Sequence, residues 1–147
     1  EKRNQLIIDE VIKHSSRKIL ILTDRLEHIS ELEDMLYSKN FDFVSVHGGL
    51  SKKVQNENIK LVYEKSLILE TTSFFNEGID FPHLNTIIFA TPISYYGRLI
   101  QYLGRIGRDG QKCLAIDFLD TKNAMLYSAY KKRKEGYKQM HYKLNKC

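Results

Sequence analysis

A chain of 147 residues is long enough for one domain with a real core and short for two. Its 42% hydrophobic and 28% charged content fits an ordinary globular protein, which sets aside disordered and fibrous classes. The longest apolar runs, such as Lys18 to Leu22, are far too short to span a bilayer, so no membrane partner is expected. The chain begins at Glu1 without a signal pattern and is expected to be a piece of a longer protein.

Cys113 and Cys147 match no metal or redox spacing, and they are expected to be free thiols in an intracellular, reducing compartment. Histidines at 14, 28, 47, 83 and 141 show no ligand spacing, so no metal site is expected from this chain alone. The net charge of +5 is uneven: residues 121 to 147 carry eight Lys or Arg against the acid Glu135, while the first 120 hold 15 bases against 17 acids. A basic end on a near-neutral body points to a local anionic partner, with a solvated helix face as the plain alternative.

In chain order, Gln5 to His14 has apolar residues at 7, 8, 11 and 12, a helical spacing. Lys18 to Thr23 reads as a buried strand ending in polar Thr23-Asp24-Arg25. Glu27 to Lys39 sets Ile29, Leu32, Met35 and Leu36 on one helical face. Phe43 to Val46 is a short strand running into His47-Gly48-Gly49, and Ser51 is placed to cap a helix reaching Tyr63. Ser66 to Leu69, Asn85 to Ala90 and Cys113 to Phe118 read as further strands, with a short helix over Gly97 to Gly104. Apolar residues at 126, 130, 137, 140 and 144 predict a last helix from Thr121 to about Asn145. This alternation specifies an α/β fold, a parallel sheet flanked by helices: a domain over 1–120 and a basic C-terminal helix, 121–147, packed on it. In such sheets ligands bind beyond the carboxyl ends of the strands.

The most informative strand-end segment is QYLGRIGR, Gln101 to Arg108. Arg105 and Arg108 lie three residues apart, so on a helical turn both guanidiniums project to one side. Gly104 and Gly107 leave room for backbone or phosphate to approach. A planar, permanently charged fork suits the charge that develops on a transferring phosphoryl group.

QYLGRIGR resembles motif VI of superfamily-2 helicases, and Thr71 to Asp80 resembles motif V, with Thr72, Gly78 and Asp80 in register. Ile19 to Arg25 is similar to motif IV, and Val46 to Ser51 to the segment after the second strand. The resemblance covers about residues 3 to 120 and implies the C-terminal RecA-like domain of an ATP-dependent helicase or translocase. It implies that Arg105 and Arg108 face the γ-phosphate of ATP held with Mg2+ by a missing N-terminal motor domain, Arg108 being the better finger. Gln101 would sit near the nucleotide or couple it to the nucleic acid. Gly78 would allow tight packing at the cleft, and Asp80 would contact the ribose or the arginines. Thr72 would bond a nucleic-acid phosphate, with Thr23, Arg25 and His47, Gly48 and Gly49 along the strand-binding surface. Apart from the resemblance, His47 reads as a loop residue and Phe74 and Phe75 as core.

Motif VI of DEAD-box RNA helicases begins His-Arg, where this chain has Gln101-Tyr102; their motif V reads Thr-Asp, where this chain has Thr72-Ser73. These departures, with a Lys-, Ile-, Asn- and Tyr-rich usage suggesting an AT-rich genome, point to DNA-directed branches. Those branches resemble XPB, phage recombination helicases and the transcript-release helicases of poxviruses and related large DNA viruses. A viral origin of that kind would make the protein cytoplasmic. No GxxxxGK[ST] loop and no acidic DExx element occur in the chain, so alone it is expected to be inactive. Lys131, Lys132, Arg133 and Lys134 are expected to add sequence-independent DNA contacts. An RNA helicase domain and a non-catalytic RecA-like binding module are the alternatives.

Overall fold

Runs of Ile, Leu and Val form β1 (Ile19–Thr23), β2 (Val44–Val46), β3 (Leu67–Thr71), β4 (Thr86–Phe89) and β5 (Leu114–Ile116). The computed structural model describes residues 2–75, 83–91, 96–106, 112–119 and 123–143, with side chains at 75, 96 and 97 left aside. The strands build one sheet in the order β2-β3-β1-β4-β5, each described pair parallel. Between and beyond them run α1 (Lys2–Lys13), α2 (Leu26–Ser38), α3 (Lys52–Val62), α4 (Thr72–Phe75), α5 (Tyr96–Leu103) and α6 (Ala124–Gln139).

Side chains alternate across β1: Leu20 and Leu22 enter one core layer with Tyr102, Leu103 and Tyr137, while Ile19 and Ile21 enter the other with Ile7, Ile8, Ile29 and Leu32. Helices α1 and α2 therefore cover one face, and α5 and α6 help to cover the other. A strand buried on both sides must be apolar throughout, which is why β1 reads as a continuous run.

Several elements differ from expectation for identifiable reasons. The buried face of α1 is Asn4, Ile7, Ile8 and Val11, and Ile12 is exposed. Strand β3 runs past Leu69 to bury Glu70 and Thr71, and α4 follows it directly. Leu61 of α3 lies at the surface while Val62 is buried. Ser51 does cap α3, its Oγ accepting from the Val54 amide at 3.3 Å, a contact worth about 1 kcal/mol.

The last helix stops at Gln139, short of the expected Asn145. His141 adopts φ 64°; its amide bonds the Lys138 carbonyl at 3.0 Å, and that of Tyr142 bonds the Tyr137 carbonyl at 2.9 Å. This pair of bonds is the Schellman arrangement, and the Tyr142 ring packs on Tyr137 at 6.1 Å between centroids, the apolar contact that accompanies it. Helix α2 ends the same way, with Asn40 at φ 61° and Phe41 bonded back to Leu36. Among the described residues no helix is long and apolar enough to cross a membrane.

Candidate functional site

Because the sheet is parallel, the carboxyl ends of β1, β3 and β4 lie side by side. Thr23 stands opposite Thr71 in the register of β1 with β3, Thr72 opens α4, and Thr91 beyond β4 accepts from the Asp24 amide at 3.2 Å. The sequence pattern singles out Thr23 and Thr72 but not Thr71 and Thr91, for which a hydroxyl just past an apolar run is the available signal.

Thr23 does not face an incoming strand. It is 0% exposed, and its hydroxyl lies 2.8 Å from Nδ1 of His28. Nε2 of His28 lies 2.6 Å from Oδ1 of Asn4, whose amide nitrogen donates to Glu31 at 2.8 Å. Since Oδ1 can only accept, Nε2 carries the proton and Nδ1 accepts from the threonine. Burial lowers the His28 pKa, with Arg25 and Arg3 adding to it and Glu31 and Asp24 opposing. The expectation that Thr23 binds nucleic acid is therefore replaced by a structural role: it ties β1 to α2 and α1.

Arg25 does face outward, 68% exposed and 3.8 Å from the Asp24 carboxylate, a screened pairing that leaves it accessible to anions. The turn after β2 sits beside it. The Gly49 amide donates to Nδ1 of His47 at 3.1 Å, and a Cβ on Gly49 would meet both the His47 ring and Leu26, the first residue of α2. Gly48 has open space where a Cβ would stand. Burial lowers the His47 pKa against the opposing field of Glu33, so at neutral pH its ring is an acceptor within the turn.

Helix α5 places the expected phosphate-binding segment. Leu99, Tyr102 and Leu103 are buried, whereas Arg98 and Gln101 are exposed. The chain then turns sharply: the Gly104 amide bonds the Ile100 carbonyl at 3.0 Å and the Arg105 amide bonds Tyr102 at 3.2 Å. A Cβ on Gly104 would stand 3.3 Å from the Ile100 oxygen, closer than most side chains tolerate. Ile106 is buried directly after, so half-buried Arg105 is held between two anchored residues.

The Tyr102 ring packs on Phe89 of β4, with 6.5 Å between centroids. Its hydroxyl pKa is raised by burial first, then lowered by the charge and hydrogen bond of Arg98 and the charge of Arg105, and raised by Glu70. Buried Glu70 lies on β3 just before Thr71 and Thr72. Tyr102, for which the sequence pattern suggests no role, shares its core layer with Phe74 of the motif-V-like segment. Gly78, Asp80 and Arg108 lie outside the described residues, as do Phe75's side chain, Gly107 and Tyr95. Phe74 is core, as expected.

On α6, Arg133 is 2% exposed and ion-paired with Asp117 at 2.6 Å, which removes it from the expected nucleic-acid surface. Lys131, Lys132 and Lys134 are exposed. Among the described residues no group of three His, Cys, Asp or Glu side chains is placed to hold a metal ion.

These strand ends and the Gly104–Arg105 turn belong to one parallel α/β domain. The family of the helicase conserved C-terminal domain matches residues 2–110, and the chain belongs to it. It is 27% identical over 124 residues to the ATP-dependent RNA helicase SUB2 of Debaryomyces hansenii, covering 84% of this chain and 28% of that protein. It is also 27% identical over 124 residues to the pre-mRNA-processing ATP-dependent RNA helicase PRP5 of Candida albicans, over 82% of this chain and 14% of that protein. The chain thus spans a minor part of these relatives. Among solved structures, Saccharomyces cerevisiae Dbp5 bound to RNA and ADP BeF3 superposes with a TM-score of 0.78 at 17% identity, covering 92% of this chain and 36% of that one. The C-terminal domain of the DEAD-box protein Dbp5 gives 0.75 at 18%, over 95% and 79%. These likenesses place the fold among RecA-like helicase C-terminal domains. The expected affinity with XPB-like, phage or viral DNA helicases finds no support in these relatives, which are named as RNA helicases or DEAD-box proteins.

Proposed function

We propose that this chain is the second motor domain of an ATP-dependent RNA helicase, supplying arginines to ATP bound on a separate RecA-like domain. The observation that carries the reading is Arg105, half-buried between Tyr102 and Ile106 within the family-matched span. A planar guanidinium on a backbone held by the Gly104 turn would present parallel N–H donors to the γ-phosphate oxygens. Arg108 would add a second fork from the same loop, with Gln101 and Asp80 near the nucleotide and Gly78 at the cleft.

Hydrolysis itself needs a phosphate-cradling loop and an acidic residue for Mg2+, which a partner domain would supply with the attacking water. Closure over ATP would bring Arg105 to the phosphates, and hydrolysis would release it. On the RNA side, exposed Arg25 and the His47-Gly48-Gly49 turn would grip the phosphate backbone without reading bases, and Thr72, 8% exposed, would reach it only at the closest approach of the strand. RNA is favoured over DNA because the similar curated proteins are named as RNA helicases, although Gln101-Tyr102 and Thr72-Ser73 depart from the DEAD-box motifs.

The test is the ATPase of the intact protein that carries this chain, measured with single-stranded RNA and with DNA of the same length. RNA should stimulate turnover and DNA should do so far less. Stimulation by DNA alone would replace RNA as the track, and stimulation by neither would favour a non-catalytic binding module.

A further inference from the structure

Helix α6 lies beyond residue 110, where the family match ends, and its charge needs a separate explanation. With 3.6 residues per turn, Tyr127, Lys131, Lys134 and Lys138 fall within an arc of about 60°. Leu126, Tyr130, Arg133 and Tyr137 fall on the adjoining inner arc, where Arg133 and Tyr137 are buried. All four residues of the first arc are exposed, Tyr127 by 38%. The one cation of the basic run that turns inward is neutralised by Asp117. The outer lysines have only Glu135 as an acid on their own helix.

The aromatic residue is part of the same surface. Nζ of Lys131 lies 5.1 Å from the centroid of the Tyr127 ring, and that ring meets Tyr130 at 6.2 Å. Tyr130 in turn carries the Arg133 guanidinium 5.6 Å from its centroid. Tyr127 is thereby supported from beneath by a ring that is itself fixed to the Asp117 anchor. The height of the stripe follows from that anchor: Asp117 immediately follows Ile116, the last residue of β5. The middle of α6 therefore stands level with the carboxyl edge of the sheet, the edge that holds Thr72 and the end of β1.

We infer that Tyr127, Lys131, Lys134 and Lys138 form an accessory binding stripe for single-stranded RNA on the last helix. The lysines pair with successive phosphates; Lys131 swings off the Tyr127 ring to do so, and the face it uncovers takes an unpaired base. Cations spaced along one line with an exposed ring suit a flexible single strand, whose bases are free to stack, better than a duplex. The stripe holds the strand by charge and stacking and carries no base specificity. This inference rests on the RNA reading above.

The experiment measures binding of a labelled oligouridylate to the intact protein across a salt series, with RNA-stimulated ATPase read on the same samples. Lys131→Gln, Lys134→Gln and Lys138→Gln together should reduce the slope of log affinity against log salt by about 2, near 0.7 for each lysine–phosphate pairing removed. Lys132 lies about 130° around the helix from the stripe and, against the expectation from the basic run, has no part in it, so Lys132→Gln should leave the slope unchanged. Tyr127→Ala should weaken binding roughly tenfold, and Tyr127→Phe should restore it. An unchanged slope in the triple variant, with wild-type RNA stimulation intact, overturns the stripe and leaves the proposed function standing. A wild-type protein that binds no RNA overturns both.

Discussion

Arg133 donates from Nε and Nη2 to the two carboxylate oxygens of Asp117, at 2.6 and 3.0 Å, and the Tyr137 hydroxyl donates to the same carboxylate at 2.9 Å. With side chains 2% and 12% exposed, the pair is the buried joint between α6 and the end of β5. Its charges are matched and its geometry is bidentate, which is what makes a desolvated pair tolerable. Removing one partner leaves the other buried and uncompensated.

Arg133→Ala should therefore cost about 3 to 5 kcal/mol of stability, whereas Lys132→Ala, one residue away at the surface, should stay within about 0.5 kcal/mol. Urea denaturation of the two variants checks this contrast. Equal, small losses would show that the Asp117 pairing does not hold the helix.

The ordered trio of Asn4, His28 and Thr23 makes stability depend on pH. Burial outweighs Glu31 and Asp24, so the folded-state pKa of His28 lies below its ordinary value. The unfolded chain then binds the proton more readily, and stability present above about pH 6.5 is lost as pH falls through that value towards the folded pKa. His47 shifts in the same direction and contributes in parallel. Comparing urea midpoints at pH 7.5 and 5.5, the wild-type chain should weaken more than His28→Gln; identical pH dependence would remove His28 from the account.

His141 sits at φ 64°, a left-handed conformation that costs a side chain about 1 kcal/mol or more. His141→Gly should relieve it while keeping the Tyr137–Tyr142 contact, raising Tm by about 2 to 4 °C. A lower Tm in a thermal melt would mean that the imidazole contributes more than the strain it carries.

The strands were legible because burial on two faces leaves an unmistakable apolar run, as in Ile19 to Leu22, and because polar residues must resume where the strand emerges. The side chains turned inward at polar positions were not. Four consecutive basic residues spread around a helix, so one of them must approach the core, but which one depends on Asp117, sixteen residues before Arg133. Thr23 looked like a ligand because it ends a strand; only the approach of α2, which brings His28 over it, shows that its hydroxyl is already used. The turn at Gly104 was legible from its glycine, whereas Gly107 and Arg108 lie outside the described residues. The place of Tyr102 was hidden because its core companions Phe89 and Phe74 come from other elements, β4 and α4.

If Arg105 serves ATP held by another domain, as proposed, the RNA-stimulated ATP turnover of the intact protein with Arg105→Ala shows it most directly. Turnover should fall by orders of magnitude, up to the roughly 10³- to 10⁵-fold loss that removal of an arginine finger brings, with affinity for RNA retained. Wild-type turnover in that variant would contradict it.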